Sequence, residues 1–133
     1  MTYYFDMDGT LCDFHSAYTS HADALRYDFI RNLSPFFHNV KVMKAAIAAG
    51  HSCYILSKAA NEEAKKAKFD WLAEYIPELT ADHILVIVGY GKKYEAMKEE
   101  GILIDDNIKE TRQWEKAGHM AILLETKGAE IKL

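Results

Sequence analysis

Tyr3-Tyr4-Phe5-Asp6-Met7-Asp8-Gly9-Thr10-Leu11 is an apolar run that ends abruptly in two aspartates, a glycine and a threonine. Tyr and Phe favour strands, and a fully buried parallel strand reads as a continuous apolar run without alternation. The stretch therefore predicts a buried strand that delivers two carboxylates to its carboxyl end. Asp6 and Asp8 would share a face if the strand ran straight through both. Gly9 argues instead for a tight turn that swings Asp8 back over the strand end. Carboxylates crowded at a sheet edge repel each other, and a cation relieves that repulsion; Mg²⁺ suits carboxylate and carbonyl oxygens. Taken alone, Asp8-Gly9 reads equally well as an Asx-type turn closing a strand.

Outward from this strand, the chain alternates between strand and helix patterns. Cys12-Asp13-Phe14-His15 reads as loop. Ser20-His21-Ala22-Asp23 has the form of a capping box, and Ala22, Leu25, Phe29 and Leu33 recur at helical spacing. That predicts one helix over about 21–33, ended by Ser34-Pro35. A second helix is predicted over about 40–49, with Gly50 as its stop. His51 to Leu56 reads as a strand that stops at Ser57. Asn61-Glu62-Glu63 opens a helix whose buried stripe is Ala64, Ala67, Trp71, Leu72 and Tyr75. Ile84-Leu85-Val86-Ile87-Val88, wholly aliphatic, predicts a third strand in a central position. Lys92 to Glu100 reads as a short helix, Ile102-Leu103-Ile104 as a fourth strand, Ile108 to Ala117 as a helix and Met120 to Leu124 as the last strand. Near-continuous apolar strands alternating with helices predict an α/β fold: a parallel sheet covered by helices on both faces, in three αβα layers.

Composition narrows the function. The 133 residues, half of them hydrophobic and 27% charged, suit one soluble globular domain spanning residues 1–133. A net charge of −4 without any Lys/Arg block disfavours a nucleic-acid polymer as partner. No signal peptide or apolar span is visible, so the expectation is no membrane and a cytoplasmic location. Cys12 and Cys53 lack metal-type spacing and read as free thiols.

In an open α/β sheet, ligands bind beyond the carboxyl ends of the strands. The residues predicted at those ends are Asp6 and Asp8, Ser57, Lys92 and Lys93, and Asp105 and Asp106. Each has an ordinary explanation: Ser57 as a helix cap, the lysines as a solvated first turn, Asp105-Asp106 as the cap of the helix at Ile108. Together they form a phosphate-and-metal inventory of four carboxylates, a hydroxyl and one or two ammonium groups. Such carboxylates in a partly desolvated cleft call for a divalent cation. With Mg²⁺ the set suits phosphoryl transfer, one carboxylate attacking phosphorus and a second serving as acid and then base.

Asp6-Met7-Asp8-Gly9-Thr10, Ser57 after an apolar strand, a lysine after the next, and Ile104-Asp105-Asp106 resemble, in order, the four motifs of the haloacid dehalogenase superfamily of phosphohydrolases. The resemblance implies a Rossmann-like sheet with Asp6 as nucleophile and Asp8 as general acid/base. It further implies Ser57, Gly9, Thr10 and Lys58 as phosphate-binding residues and Lys92 or Lys93 as the charge-stabilising lysine, with Lys93, nearer the aspartate pair, preferred. Mg²⁺ would be held by Asp6, the Asp8 carbonyl and Asp105, supported by Asp106. The stretches Leu56 to Trp71 and Asp105 to Glu115 are similar, more loosely, to the 5'(3')-deoxyribonucleotidase branch and its short bacterial and phage relatives. Only about residues 11–39 remain for a cap, which predicts a rudimentary one holding one helix or at most two. The implied function is a Mg²⁺-dependent phosphatase for a small phosphorylated molecule, a nucleoside monophosphate foremost. Phe14, His15, Tyr18 and Tyr27 are placed to stack on a base, unless they serve packing alone. The alternatives are a receiver-type phospho-aspartate domain, against which the order of lysine and acidic pair argues, and a non-catalytic phosphate-binding module on the same fold.

Overall fold

The computed structural model describes residues 1–133. Five strands form one wholly parallel sheet: β1 (Thr2–Phe5), β2 (Ser52–Ala59), β3 (Ile84–Val88), β4 (Ile102–Asp105) and β5 (Ala121–Leu123), in the order β3-β2-β1-β4-β5. The strand that opened the reading is thus the central one. Tyr4 and Phe5 are fully buried because both faces of β1 are covered. Tyr3 and Phe5 face a large cluster that includes Met43, Ile55, Trp71 and Leu72, while Tyr4 faces a smaller one with Tyr54, Leu56, Leu103 and Trp114.

Helices α4 (Phe37–Ala48) and α5 (Glu62–Tyr75) cover the first face, and α6 (Ile108–Lys116) covers the second. Three layers result, as the apolar strands predict. The buried Tyr4 hydroxyl is fully engaged: it donates to Glu99 O at 2.6 Å and accepts from the Lys98 and Glu99 amides. No helix is long and apolar enough to cross a membrane.

Several expectations are corrected. The aliphatic β3 lies at the sheet edge, not its centre, with Val88 36% exposed. A continuous apolar run reports that both faces are covered, here by α5 and a 3-10 turn, and says nothing of which neighbours pair alongside. β2 continues past Ser57 to Ala59, because Lys58 and Ala59 pair with Ile87 and Val88. The stretch from Lys92 to Glu100 forms only a 3-10 turn, Lys93–Ala96; the amides of Lys98 and Glu99 go to the Tyr4 hydroxyl instead of to a helix.

The cap segment holds three short helices: α1 (Phe14–Ala17), within the stretch read as loop, α2 (His21–Ala24) and α3 (Tyr27–Arg31). Asp13 caps α1, its carboxylate accepting from Ser16 N. The predicted single helix breaks at Arg26, whose backbone is extended. Two contacts favour the break: Leu25 O accepts from Asn61 Nδ2, and the Arg26 guanidinium bridges Asp23 and Asp28. The segment rests on α5 through Tyr27 OH to Asp70 Oδ2 (2.6 Å), Arg31 to Glu74 (2.7 Å) and Trp71 Nε1 to Leu33 O (2.9 Å).

Candidate active site

The order of the sheet reverses between β1 and β4, and a crevice opens at such a switch point beyond the strand ends. Asp6 follows β1 and Asp105 ends β4, so the two flank that crevice. The connection from β3 at the edge to β4 must cross β2 and β1, which carries Lys93 over the same place. Its ammonium donates to Asp6 Oδ1 at 2.9 Å and to Asp105 Oδ2 at 2.7 Å. Thr10 Oγ1 donates to the other Asp6 oxygen at 3.0 Å. Asp6, Asp8, Ser57, Lys58, Lys93, Asp105 and Asp106 line one cleft of about 170 Å³, together with Phe14, His15, Asn107 and Lys127.

The turn after Asp6 is built as its sequence suggests. Gly9 has φ +81°, and a Cβ there would lie 2.5 Å from Asp106 Oδ2, so only glycine lets Asp106 approach. The turn consumes its own donors: Gly9 N goes to Cys12 O and Thr10 N to Met7 O. Gly9 and Thr10, expected as substrate-binding residues, therefore shape the loop and brace Asp6. Neither lines the cleft. Lys92 also falls outside it, its ammonium 5.7 Å from the Tyr94 ring centroid, whereas Lys93 lies within it.

Asp8 is swung back as Gly9 predicts, and its partner is one the sequence reading missed. Lys68, on α5 and 1% exposed, donates to Asp8 Oδ2 (2.9 Å), Ser57 Oγ (2.7 Å) and Lys58 O (2.8 Å). A signal was present: Lys68 sits one turn beyond Ala64 and one before Leu72, a cation inside an otherwise apolar stripe. Lys58 itself pairs with Glu110 at 2.7 Å.

The electrostatics divide the cleft. Burial works against the Asp6 carboxylate, but the Lys93 ammonium together with the neighbouring Asp106 and Asp105 carboxyls holds it below its usual range. Burial likewise opposes the Lys93 charge, and Asp6 and Asp105 overcome it, so its pKa is raised. Asp105 is pushed up to about 8, first by burial and then by the Asp6 charge. Burial and Asp6 also raise Asp106. Cys12, which donates to Asp8 Oδ1 at 3.5 Å, is driven well above the usual thiol range by burial and the Asp8 charge, so it remains a neutral thiol.

One oxygen from each of Asp6, Asp105 and Asp106 lies within 4.8 Å of the others. Asp106 Oδ2 is buried, and the Lys127 ammonium pairs with it at 2.6 Å. An all-carboxylate oxygen triad fits a hard divalent cation such as Mg²⁺. The Asp8 side chain, turned to Lys68, stands outside this triad.

Beside the cleft, and sharing Asp8, Phe14 and Lys58 with it, is a second cavity of about 270 Å³ walled by Ala24, Ile30, Ala59, Ala60 and Ala64, with Lys68 and Gly89 completing it. Phe14 and His15 face the site, but Tyr18 stacks on Phe14 and Tyr27 is tied to Asp70; neither lines a cavity here.

No protein-family model and no curated protein sequence matches the chain. Solved structures do. A chain of the Pnkp1/Rnl/Hen1 complex superposes with a TM-score of 0.70 at 20% identity, over 92% of this chain and 45% of its own length, so the present chain spans less than half of it. The D,D-heptose 1.7-bisphosphate phosphatase from B. bronchiseptica, crystallised with magnesium and phosphate, superposes with a TM-score of 0.68 at 12% identity, over 96% of this chain and 82% of that one. These likenesses establish the α/β, Rossmann-like fold. The strand order also separates the chain from receiver domains, whose order is 2-1-3-4-5.

Proposed function

We propose that this chain is a Mg²⁺-dependent phosphohydrolase that cleaves a small phosphate monoester through an aspartyl-phosphate on Asp6, with nucleoside monophosphates as the leading substrate class. The observation that carries the reading is the division of labour between two buried lysines. Lys93 bridges Asp6 and Asp105, while Lys68 ties Ser57 to Asp8.

Asp6, lowered in pKa and oriented by Thr10 and Lys93, is an ionised carboxylate fit to attack phosphorus. Asp8 is the acid that protonates the leaving oxygen and the base that later activates water. Ser57, held by the Lys68 ammonium, offers its hydroxyl to the phosphoryl oxygens. Asp6, Asp105 and Asp106 would hold Mg²⁺, which supplies charge neutralisation for the phosphoryl group. The apolar cavity next to Asp8 accommodates the organic part of the ester, with the Phe14 ring available for stacking. The bisphosphate phosphatase likeness supports phosphate-ester chemistry on this fold.

The experiment is a panel of nucleotides, sugar phosphates and aryl phosphates assayed with Mg²⁺ and with chelator, for the wild type and Asp6→Asn. Mg²⁺-dependent phosphate release from wild type alone is expected. No release from any monoester, or more than a tenth of wild-type activity in Asp6→Asn, refutes the proposal.

A further inference from the structure

Beyond β5 the backbone turns back across the cleft and is pinned there. Gly128 N donates to Gly9 O at 2.8 Å. Asn39 Nδ2 donates to both Thr10 O and Ala129 O at 2.8 Å, and Ile131 N donates to Asn39 Oδ1 at 2.8 Å. Gly128, with φ +73°, lies against Phe36 so closely that a Cβ would come 2.6 Å from the ring. This strap is thus tied to the turn that follows Asp6, and the residue just before Gly128 is Lys127.

Lys127 lines the cleft with its side chain 47% exposed, and its ammonium pairs with Asp106 Oδ2 at 2.6 Å. Asp106 is also one of the three carboxylates suited to the divalent cation. Two cations at one carboxylate repel each other, so a metal in the triad weakens the hold on Lys127. The strap keeps its backbone in place, so the freed ammonium stays within reach of an anion bound in the same cleft.

We propose that Lys127 is a phosphoryl-binding residue: it neutralises Asp106 in the metal-free protein and moves to a phosphoryl oxygen of the substrate once the cation takes Asp106. This rests on the phosphohydrolase reading above. The charges require such a group. The cation, Lys68 and Lys93 together balance Asp6, Asp8, Asp105 and Asp106, and an arriving phosphoryl dianion then lacks compensation. Lys58 is already committed to Glu110. Lys127 is the rim ammonium that metal binding itself releases.

The proposal predicts opposite effects on two ligands, which a merely structural residue would not produce. Isothermal titration of Lys127→Gln with Mg²⁺ alone should show binding tightened about threefold, because a competing cation is gone. Titration with inorganic phosphate at saturating Mg²⁺ should show binding weakened about tenfold, the loss of one charge-assisted hydrogen bond. Lys127→Arg should restore both constants towards wild type. Mg²⁺ binding that is unchanged or weaker in Lys127→Gln, or phosphate binding that is unchanged, overturns the proposal. So does wild-type protein that binds Mg²⁺ but no phosphate. Neither titration requires turnover, so a protein that hydrolysed no monoester would refute the phosphohydrolase reading while these constants still decided the role of Lys127.

Discussion

Replacing Lys68 by methionine separates what this buried cation does for the fold from what it does for chemistry. The side chain is nearly the same length, so the cavity left is small. Three hydrogen bonds are lost, to Asp8, Ser57 and Lys58 O. Each charged hydrogen bond contributes about 1.5–3 kcal/mol, but the protein no longer has to desolvate an ammonium, which costs several kcal/mol. Asp8 keeps water, with 26% of its side chain exposed, whereas the buried Ser57 hydroxyl is left unpartnered at a cost of about 1–3 kcal/mol. Net destabilisation should be about 1–3 kcal/mol, a fall in Tm of roughly 3–15 °C. Catalysis should lose much more. On the proposed mechanism Lys68 aims both Asp8 and Ser57, and misplacing such groups should lower kcat by about 10²-fold. Thermal unfolding followed by circular dichroism, paired with kcat on an alkyl phosphate, measures both. Activity within tenfold of wild type alongside the expected fall in Tm would show Lys68 to be a core ion-pair residue and nothing more.

The adjacent lysines should behave unlike each other: Lys93→Ala strands two buried carboxylates and should cost about 3–5 kcal/mol together with turnover, whereas Lys92→Ala should change stability by no more than about 0.5 kcal/mol, both by chemical denaturation. Asp105 binds its proton more tightly in the folded state than in the unfolded chain. Its contribution to stability is therefore complete below the ordinary carboxylate value of roughly 4 and is lost as pH rises through about 8. In chelator, Tm should decline across that window, and Asp105→Asn should flatten the decline; a flat wild-type profile would contradict the placement of Asp105.

The central strand, its two aspartates and the acidic pair after β4 were legible because burial on both faces and turn chemistry leave local marks. The Ala64, Ala67, Trp71, Leu72 stripe was legible too, and Lys68 lay within it, unread because a charge in a stripe counts against a helical face before it counts for a site. The edge position of β3 left no mark, since periodicity registers what covers a strand and not what pairs beside it. The helix break at Arg26 depends on Asn61, far along the chain, reaching Leu25 O. Lys127 was illegible for the same kind of reason: nothing near it in sequence indicates that Asn39 and Gly9 will hold its neighbours over the cleft.

The helix that carries Lys68 also carries Asp70, Trp71 and Glu74, the side chains that seat the cap segment. On the proposed function, specificity and acid–base chemistry are thereby mounted on one beam. A graft that exchanged residues 11–39 for another cap would tear contacts from the face of α5 that aims Asp8, so transplanting a lid onto this scaffold demands transplanting that face with it. The small side chains of Ala24, on the cap segment, and Ala60, exposed beside the cavity, bear no such load. They are the positions at which a designer, or drift, can reshape the accepted leaving group one methyl at a time without disturbing the chemistry.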